Sequence, residues 1–412
     1  MGGSPLIRGA FRRKNGFIMI YLDNSSTTRQ YDEVTDLQYR IAKENFGNPS
    51  SLHSLGFEAG NILFEARKQI EDLMYAGGTV VFTSGGTESD NMALVSSARK
   101  MRRRGKRIIT TKIEHPAILE TCKRLAEDGF VIDYMECDST GTVNAKVLKA
   151  ALTEDTIIVS IMTVNNEVGT IEPVAEAAKI VREFNKTHGT SIIFHTDAVQ
   201  AFGKVPLDDM RFDLVSVSGH KFHGPKGIGF LYMDKDIKLP ALITGGGQEN
   251  GYRSSTENTP GIAGLGLAAK RSHEDLVTKM VKMGEVNEYL RKGLMTELAD
   301  VTLNGPDTIG YTLHESGTRC PSVLNLTFAG TRGEVLLHTL EQDKIFVSTG
   351  SACASHKTGD SHVLQAMGLN HKQIEGALRF SFSEFNTIEE MDEVISRTKA
   401  AVNRFRKLGS FR

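Results

Sequence analysis

The stretch Leu214-Val215-Ser216-Val217-Ser218-Gly219-His220-Lys221 decides the reading of this chain. A β-rich apolar run stops abruptly in small and polar residues, and a lysine sits inside the turn. The same arrangement recurs upstream. Ile192-Ile193-Phe194 runs into His195-Thr196-Asp197-Ala198-Val199-Gln200, and Ile157-Ile158-Val159-Ser160-Ile161 runs on to Val164-Asn165-Asn166-Glu167-Val168-Gly169. Ile108-Ile109 leads to Glu114-His115-Pro116, and Val80-Val81-Phe82 leads to Thr83-Ser84-Gly85-Gly86-Thr87-Glu88-Ser89. Val131–Tyr134 reads as a further strand. Between the strands, apolar residues at three- and four-residue spacing predict helices, as in Ala59, Ile62, Ala66, Ile70 and Leu73. Further helices are expected over Glu88–Arg104, Pro116–Asp128 and Pro173–His188. This alternation predicts an α/β fold with a mostly parallel sheet between helices, since nearly continuous apolar strands suit burial on both faces. In such a sheet ligands bind outside the carboxyl ends of the strands, so five polar strand ends converge on one site.

Beyond Gly264 the pattern changes. A long helix is expected from His273 to Leu298, then a strand Val323–Phe328, a helix near Glu334–Leu340, a strand Ile345–Val347, a strand Ala377–Phe382 and a terminal helix Ile388–Leu408. This reads as a smaller α+β unit with a boundary near residue 275. A chain of 412 residues is long for one core, which fits two domains. Residues 1–19 are Gly-rich and basic without the apolar core of a secretory signal, and are expected to be a disordered extension outside the fold.

Hydrophobic residues make up 40% and charged residues 24%, with a net charge of −1, the profile of a globular enzyme with no bulk pull toward nucleic acid or membrane. The basic run Met101–Arg107 reads as a solvated helix terminus. No apolar run is long enough to span a bilayer. Four cysteines, Cys122, Cys137, Cys320 and Cys353, form no C-x-x-C pair, so no metal site is expected and a reducing, cytoplasmic setting fits best.

Lys221 lies in a small-residue turn, where a desolvated lysine becomes a nucleophile toward carbonyls; a snorkelling lysine would look the same. Ser84-Gly85-Gly86-Thr87 opening a helix suits an anion, although an ordinary turn with Thr87 as N-cap has the same residues. Asp197 at a buried strand end needs a partner, either a cation or a helix cap. His115 could be a core imidazole or a ring that stacks on a ligand. Gly245–Thr256 is a glycine-rich loop. Cys353, in Ser348-Thr349-Gly350-Ser351-Ala352-Cys353-Ala354, is in a small, polar, glycine-bearing segment that suits an accessible thiol.

Together these segments resemble the cysteine desulfurase family, class-V aminotransferase-like enzymes of pyridoxal-phosphate fold type I. The likeness runs from about Ile20 to Leu408 and includes Tyr21-Leu22-Asp23-Asn24-Ser25-Ser26-Thr27-Thr28, Phe46-Gly47-Asn48-Pro49-Ser50 and Ser84–Asn91. It continues in Val164–Glu167, Ser218–Lys221 and Ser348–Cys353. The resemblance implies a large cofactor domain over 33–275 and a small domain over 276–412, which residues 20–32 join. It implies that Lys221 anchors pyridoxal 5′-phosphate and moves the substrate α-proton, that Asp197 pairs with the ring nitrogen, that Gln200 bonds the ring hydroxyl and that His115 stacks on the ring. Gly86, Thr87, Ser218 and His220 would bind the phosphate, with Thr256 reaching in from a second subunit of a homodimer. Asn166 and Arg379 would hold the carboxylate of L-cysteine, with Asn48 also on the substrate side. Cys353 would take the sulfur as a persulfide, leaving alanine, and pass it to an acceptor protein, an iron–sulfur scaffold or a tRNA-thiolation enzyme. The chain ends soon after the terminal helix, where the iron–sulfur branch carries a longer tail, so either acceptor is open. Selenocysteine lyase and a class-V aminotransferase are the alternatives; the cysteine at 353 separates them from a desulfurase.

Overall fold

The structure, a computed structural model, describes residues 11–12, 18–207, 210–349 and 359–409. The elements in order are β1 (Phe11–Arg12), β2 (Ile18–Tyr21), α1 (Asp32–Glu44), α2 (Ser54–Glu71), β3 (Thr79–Thr83), α3 (Gly86–Met101), β4 (Arg107–Thr111), α4 (Pro116–Glu127) and β5 (Val131–Met135). There follow α5 (Ala145–Ala151), β6 (Thr156–Ser160), α6 (Val174–His188), β7 (Ile193–Asp197), β8 (Leu214–Ser218), β9 (Gly229–Met233), α7 (Thr259–His273) and α8 (Leu276–Glu297). The last are β10 (Val301–Asn304), β11 (Val323–Phe328), α9 (Gly333–Gln342), β12 (Ile345–Phe346), α10 (His362–Ala366), α11 (His371–Glu375), β13 (Ala377–Ser381) and α12 (Ile388–Leu408).

Seven strands form the central sheet in the order β3-β9-β8-β7-β6-β4-β5. Only β9 runs against its neighbours; the pairs from β8 through β5 are parallel. β6, β7, β8 and β9 are buried at every position, as expected for strands covered on both faces. One apolar cluster packs α2, α6 and α7 on one face, with Phe194, Phe202, Phe222 and Phe230 at its heart. A second packs α3 and α4 on the other. A separate three-stranded antiparallel sheet, β10-β11-β13, is covered by α8 and α12. Ile20 and Leu22 pack into that second core, and β2 pairs in parallel with β12.

The helix expected over His273–Leu298 is α8, and α7 just before it is a helix that the sequence reading did not include. The chain breaks at Glu274–Asp275, where Asp275 adopts φ 53°. Helix α1 carries only two buried side chains, Val34 and Ile41, so its apolar periodicity is too sparse to read. The basic run 102–104 is solvent-exposed just past the end of α3. Among the described residues no helix is long and apolar enough to cross a membrane.

Candidate active site

The carboxyl ends of β6, β7 and β8 open onto a cleft holding about 740 Å³ of empty space, its mouth included. Its walls bring together Gly86, Thr87, His115, Asn166, Asp197, Gln200, Ser218, His220, Lys221 and Arg379. Ten of the positions singled out in the sequence thus meet in one place.

One end is built for an anion. Gly85 caps α3 with φ 153° and ψ −175°, a conformation open essentially to glycine alone. A Cβ on Gly86 would come within 2.9 Å of Val199 Cγ2. The cap supplies no side-chain hydrogen bond to the first turn, which leaves the positive end of α3 to a ligand. Gly85 rather than Thr87 is the cap; Thr87 is the second residue of the helix and lines the cleft. His220 lies beside it, its Nδ1 3.2 Å from Thr27 Oγ1. Burial, aided by Lys221, Lys226 and Lys204, pushes the imidazole down to about 4, so it is neutral at physiological pH.

Lys221 ends the 3₁₀ turn Gly219–Lys221 directly after β8. Its Nζ donates to the carbonyls of Ser25 (2.5 Å) and Ser26 (2.9 Å), groups carried in by the N-terminal segment. Asp197 closes β7, where its Oδ1 accepts the Val199 N–H at 2.9 Å. Burial pushes this carboxyl up to about 6, although the Val199 bond and Lys221 both pull it down. His115 caps α4: its Nδ1 accepts the Ala117 N–H at 3.1 Å, which assigns the ring proton to Nε2. Burial, with Lys221 and His362 nearby, holds that imidazole down at about 4.

At the opposite side Arg379 projects from β13, 3% exposed. It donates to Asn166 O (2.8 Å), Asp23 Oδ1 (2.9 Å) and Ser26 Oγ (2.7 Å), while its buried Nε has no hydrogen-bond partner. The backbone of Arg379 pairs with that of Ser348 in both directions. Near His115, His362 Nε2 lies 2.9 Å from Glu114 O. Cys353 lies outside the described residues.

Two expected residues are not in this cleft. Thr256 lines a separate hollow with Arg253, Ser255 and Phe82. Asn48 is exposed, and its Oδ1 accepts the Ser50 N–H at 2.9 Å. The structure also adds groups that the sequence reading passed over. His195 is fully buried between Ser160 Oγ and Ser216 Oγ, each 2.9 Å away, and burial pushes it down to about 3. Asp90 is 3.7 Å from it and lines the cleft; burial, then the charge of Asp197, raises its carboxyl. Glu114 accepts from Thr111 Oγ1 and the Met162 N–H, both at 2.9 Å, and burial pushes it up to about 8. Lys204 is buried against Gln200.

The family model for class-V aminotransferases matches residues 20–394. A cysteine desulfurase IscS of Clostridium botulinum is 43% identical over 379 residues, covering 91% of this chain and 92% of that protein. A cysteine desulfurase IscS of Methanosarcina thermophila is 41% identical, covering 94% of this chain and 93% of that protein. Among solved structures, a NifS-like protein superposes with a TM-score of 0.84 at 37% identity, over 94% of this chain and all of that one (100%). The structure titled SspA in complex with cysteine gives 0.74 at 30% identity, over 89% of this chain and 100% of its own.

Proposed function

The chain belongs to the class-V aminotransferase family and is a pyridoxal-phosphate-dependent cysteine desulfurase; we propose that Lys221 anchors the cofactor, that Arg379 and Asn166 seat L-cysteine, and that Cys353 takes the sulfur. The observation that carries this assignment is the meeting of Lys221, Asp197 and an uncapped helix end in one cleft. The cleft fits the cofactor on its own chemistry. The glycine pair leaves room beside Ser218 and Val199 that a side chain would fill, at the positive end of α3. A phosphate suits Thr87, Ser218 and His220 there. Asp197 presents a buried carboxylate that needs a cation, and the ring nitrogen is one.

When bound, the cofactor supplies the electron sink that makes the substrate Cα–H acidic. The protein does the rest. His115, neutral, can stack on a ring without bringing a charge. Arg379, held by Asn166, Asp23 and Ser26, keeps two of its five N–H donors for a carboxylate. The Lys221 amine, once free, would take the proton from the substrate Cα. Transfer then forms a sulfur–sulfur bond to Cys353 as the Cβ–S bond of the substrate breaks, leaving a persulfide and, after protonation, alanine.

Two observations support Cys353. Burial holds the other thiols protonated, pushing Cys122 up to about 12 and Cys137 up to about 11, and raising Cys320 as well. Ser348, anchored to Arg379 at the cleft, precedes Cys353 by five residues, a span of at most about 18 Å.

The same proposal includes a homodimer. Tyr39, Phe46, Leu52, Phe57 and Phe64 are exposed by 62–104% on α1, α2 and the loop between them, an apolar set unusual on a monomer. Covering it with a second copy would also give Thr256 a cleft to enter, the partner's. The packing of Ile20 and Leu22 with the 276–402 core supports a small domain that the N-terminal segment joins. The three described cysteines are free, which supports a reducing, cytoplasmic setting. The sulfur acceptor is a second protein, either an iron–sulfur scaffold or a tRNA-thiolation enzyme.

The test is direct. Protein supplied with pyridoxal phosphate should turn yellow and form alanine from L-cysteine. Lys221→Ala should lose both the covalent cofactor and the turnover; a yellow, active Lys221→Ala protein would refute the assignment.

A further inference from the structure

Four residues beyond Gln200, Lys204 lies 6% exposed in the interior. Its Nζ donates to Gln200 Oε1 at 3.1 Å, while Gln200 Nε2 donates to Ser25 O at 2.9 Å. An ammonium can only donate and a carbonyl can only accept. Both contacts therefore specify the same orientation of the carboxamide, and a flipped amide would set donor against donor and acceptor against acceptor. One Nε2 hydrogen is spent on Ser25. Gln200 lines the cleft, where Nε2 keeps its second hydrogen to donate while Oε1 is already engaged by the Lys204 ammonium through one of its two lone pairs.

We propose that Lys204 is a positioning residue: its ammonium locks the Gln200 carboxamide so that Gln200 meets the ring oxygen of the cofactor as a hydrogen-bond donor and favours that oxygen as an anion. The inference rests on the reading of the cleft as the cofactor site. The other groups acting on the Lys204 ammonium are Lys221, Arg379, Glu384 and Cys320; burial is the larger influence and pushes it down to about 8, which leaves it mostly protonated at neutral pH. Lys204 thereby fills a place where a neutral side chain would pack with less desolvation cost. A bond that only a donor can make to Gln200 gives that charge a use.

The measurement is the pH titration of the visible absorption of the protein loaded with pyridoxal phosphate. A donor to the ring oxygen lowers the midpoint at which the bound chromophore loses its proton. Lys204→Met should raise that midpoint by about one pH unit, the order expected when a hydrogen bond to a charged oxygen is lost. Lys204→Arg, which keeps a donor at that end, should titrate like the parent. In a Gln200→Ala background, Lys204→Met should add no further shift, because the effect passes through Gln200. Gln200→Glu keeps the shape without the donor and should also raise the midpoint, which gives an independent reading should Lys204→Met fail to fold. A parent-like midpoint in folded Lys204→Met, a parent-like midpoint in Gln200→Glu, or an undiminished shift in the Gln200→Ala background would each overturn the proposal. If the parent protein takes up no cofactor at all, the reading of the cleft fails instead, and the two failures are distinct.

Discussion

Replacing Asp197 by asparagine isolates the charge that the cleft aims at the ring nitrogen. Asn keeps the shape, and its Oδ1 can still accept the Val199 N–H that Asp197 accepts at 2.9 Å. What is lost is a buried negative charge, 5% exposed. A hydrogen bond with a charged partner contributes about 1.5–3 kcal/mol and a neutral one about 0.5–1.5, so the difference is about 1.5 kcal/mol. If that difference is felt where the α-proton leaves, turnover falls about tenfold or more. The assay is alanine formation from L-cysteine at saturating cofactor, with occupancy checked by absorbance. The pH dependence has a definite sign. Burial raises the Asp197 carboxyl to about 6 in the protein without cofactor, so it gains a proton as pH falls through that value. Cofactor affinity should therefore weaken between pH 7 and pH 5 in the parent by more than in Asp197→Asn, which has no carboxyl to titrate. Unchanged turnover in a fully loaded Asp197→Asn protein would refute the role.

Arg379→Lys should raise KM for L-cysteine about tenfold or more with a smaller change in kcat, because a lysine cannot keep the contacts to Asn166, Asp23 and a carboxylate together; an unaltered KM would remove Arg379 from substrate binding. Glu114→Gln addresses stability. The folded carboxyl is raised to about 8 from an ordinary 4.5, so the parent loses stability as pH rises between these values while the glutamine variant does not. The Tm of the variant relative to the parent should thus increase from pH 5 to pH 8, and a difference that does not change with pH would contradict a neutral, buried Glu114. Phe57→Glu combined with Phe64→Glu should shift the protein from dimer to monomer in sedimentation, and activity should fall if Thr256 serves the partner; a dimer that survives both charges would place the interface elsewhere.

The sheet was legible because its inner strands β6, β7 and β8 are buried on both faces and read as largely apolar runs with polar ends; the edge strand β5, part-exposed and carrying Asp133, was read from Val131–Tyr134. β9 was harder to read: Gly229–Met233 has the same apolar character, and nothing in that character shows that it runs the opposite way. Helix α8 was legible nearly to its ends, whereas α7 was not, because Gly261, Gly264 and Gly266 interrupt its apolar run. At the site, Lys221, Asp197 and His115 announced themselves by polarity at strand ends. Asp90 and Lys204 did not, because each follows a motif residue within an element that already had a reading. Asp90 sits on α3 after the glycine turn, and Lys204 lies four residues beyond Gln200 in the turns that follow β7. Their weight comes from burial, which the sequence does not display. Asn48 and Thr256 carried no signal of position: neither enters the cleft of its own chain.

The most direct measurement is where the sulfur goes. The holoenzyme is treated with L-cysteine under non-reducing conditions, digested and mapped by mass spectrometry. The account predicts one added sulfur atom on the peptide that carries Cys353, none on those carrying Cys122, Cys137 or Cys320, and alanine as the other product. Cys353→Ser should bind cofactor and L-cysteine yet release almost no sulfide. Sulfide and alanine formed by Cys353→Ser at the parental rate, or added sulfur on another cysteine, would contradict it.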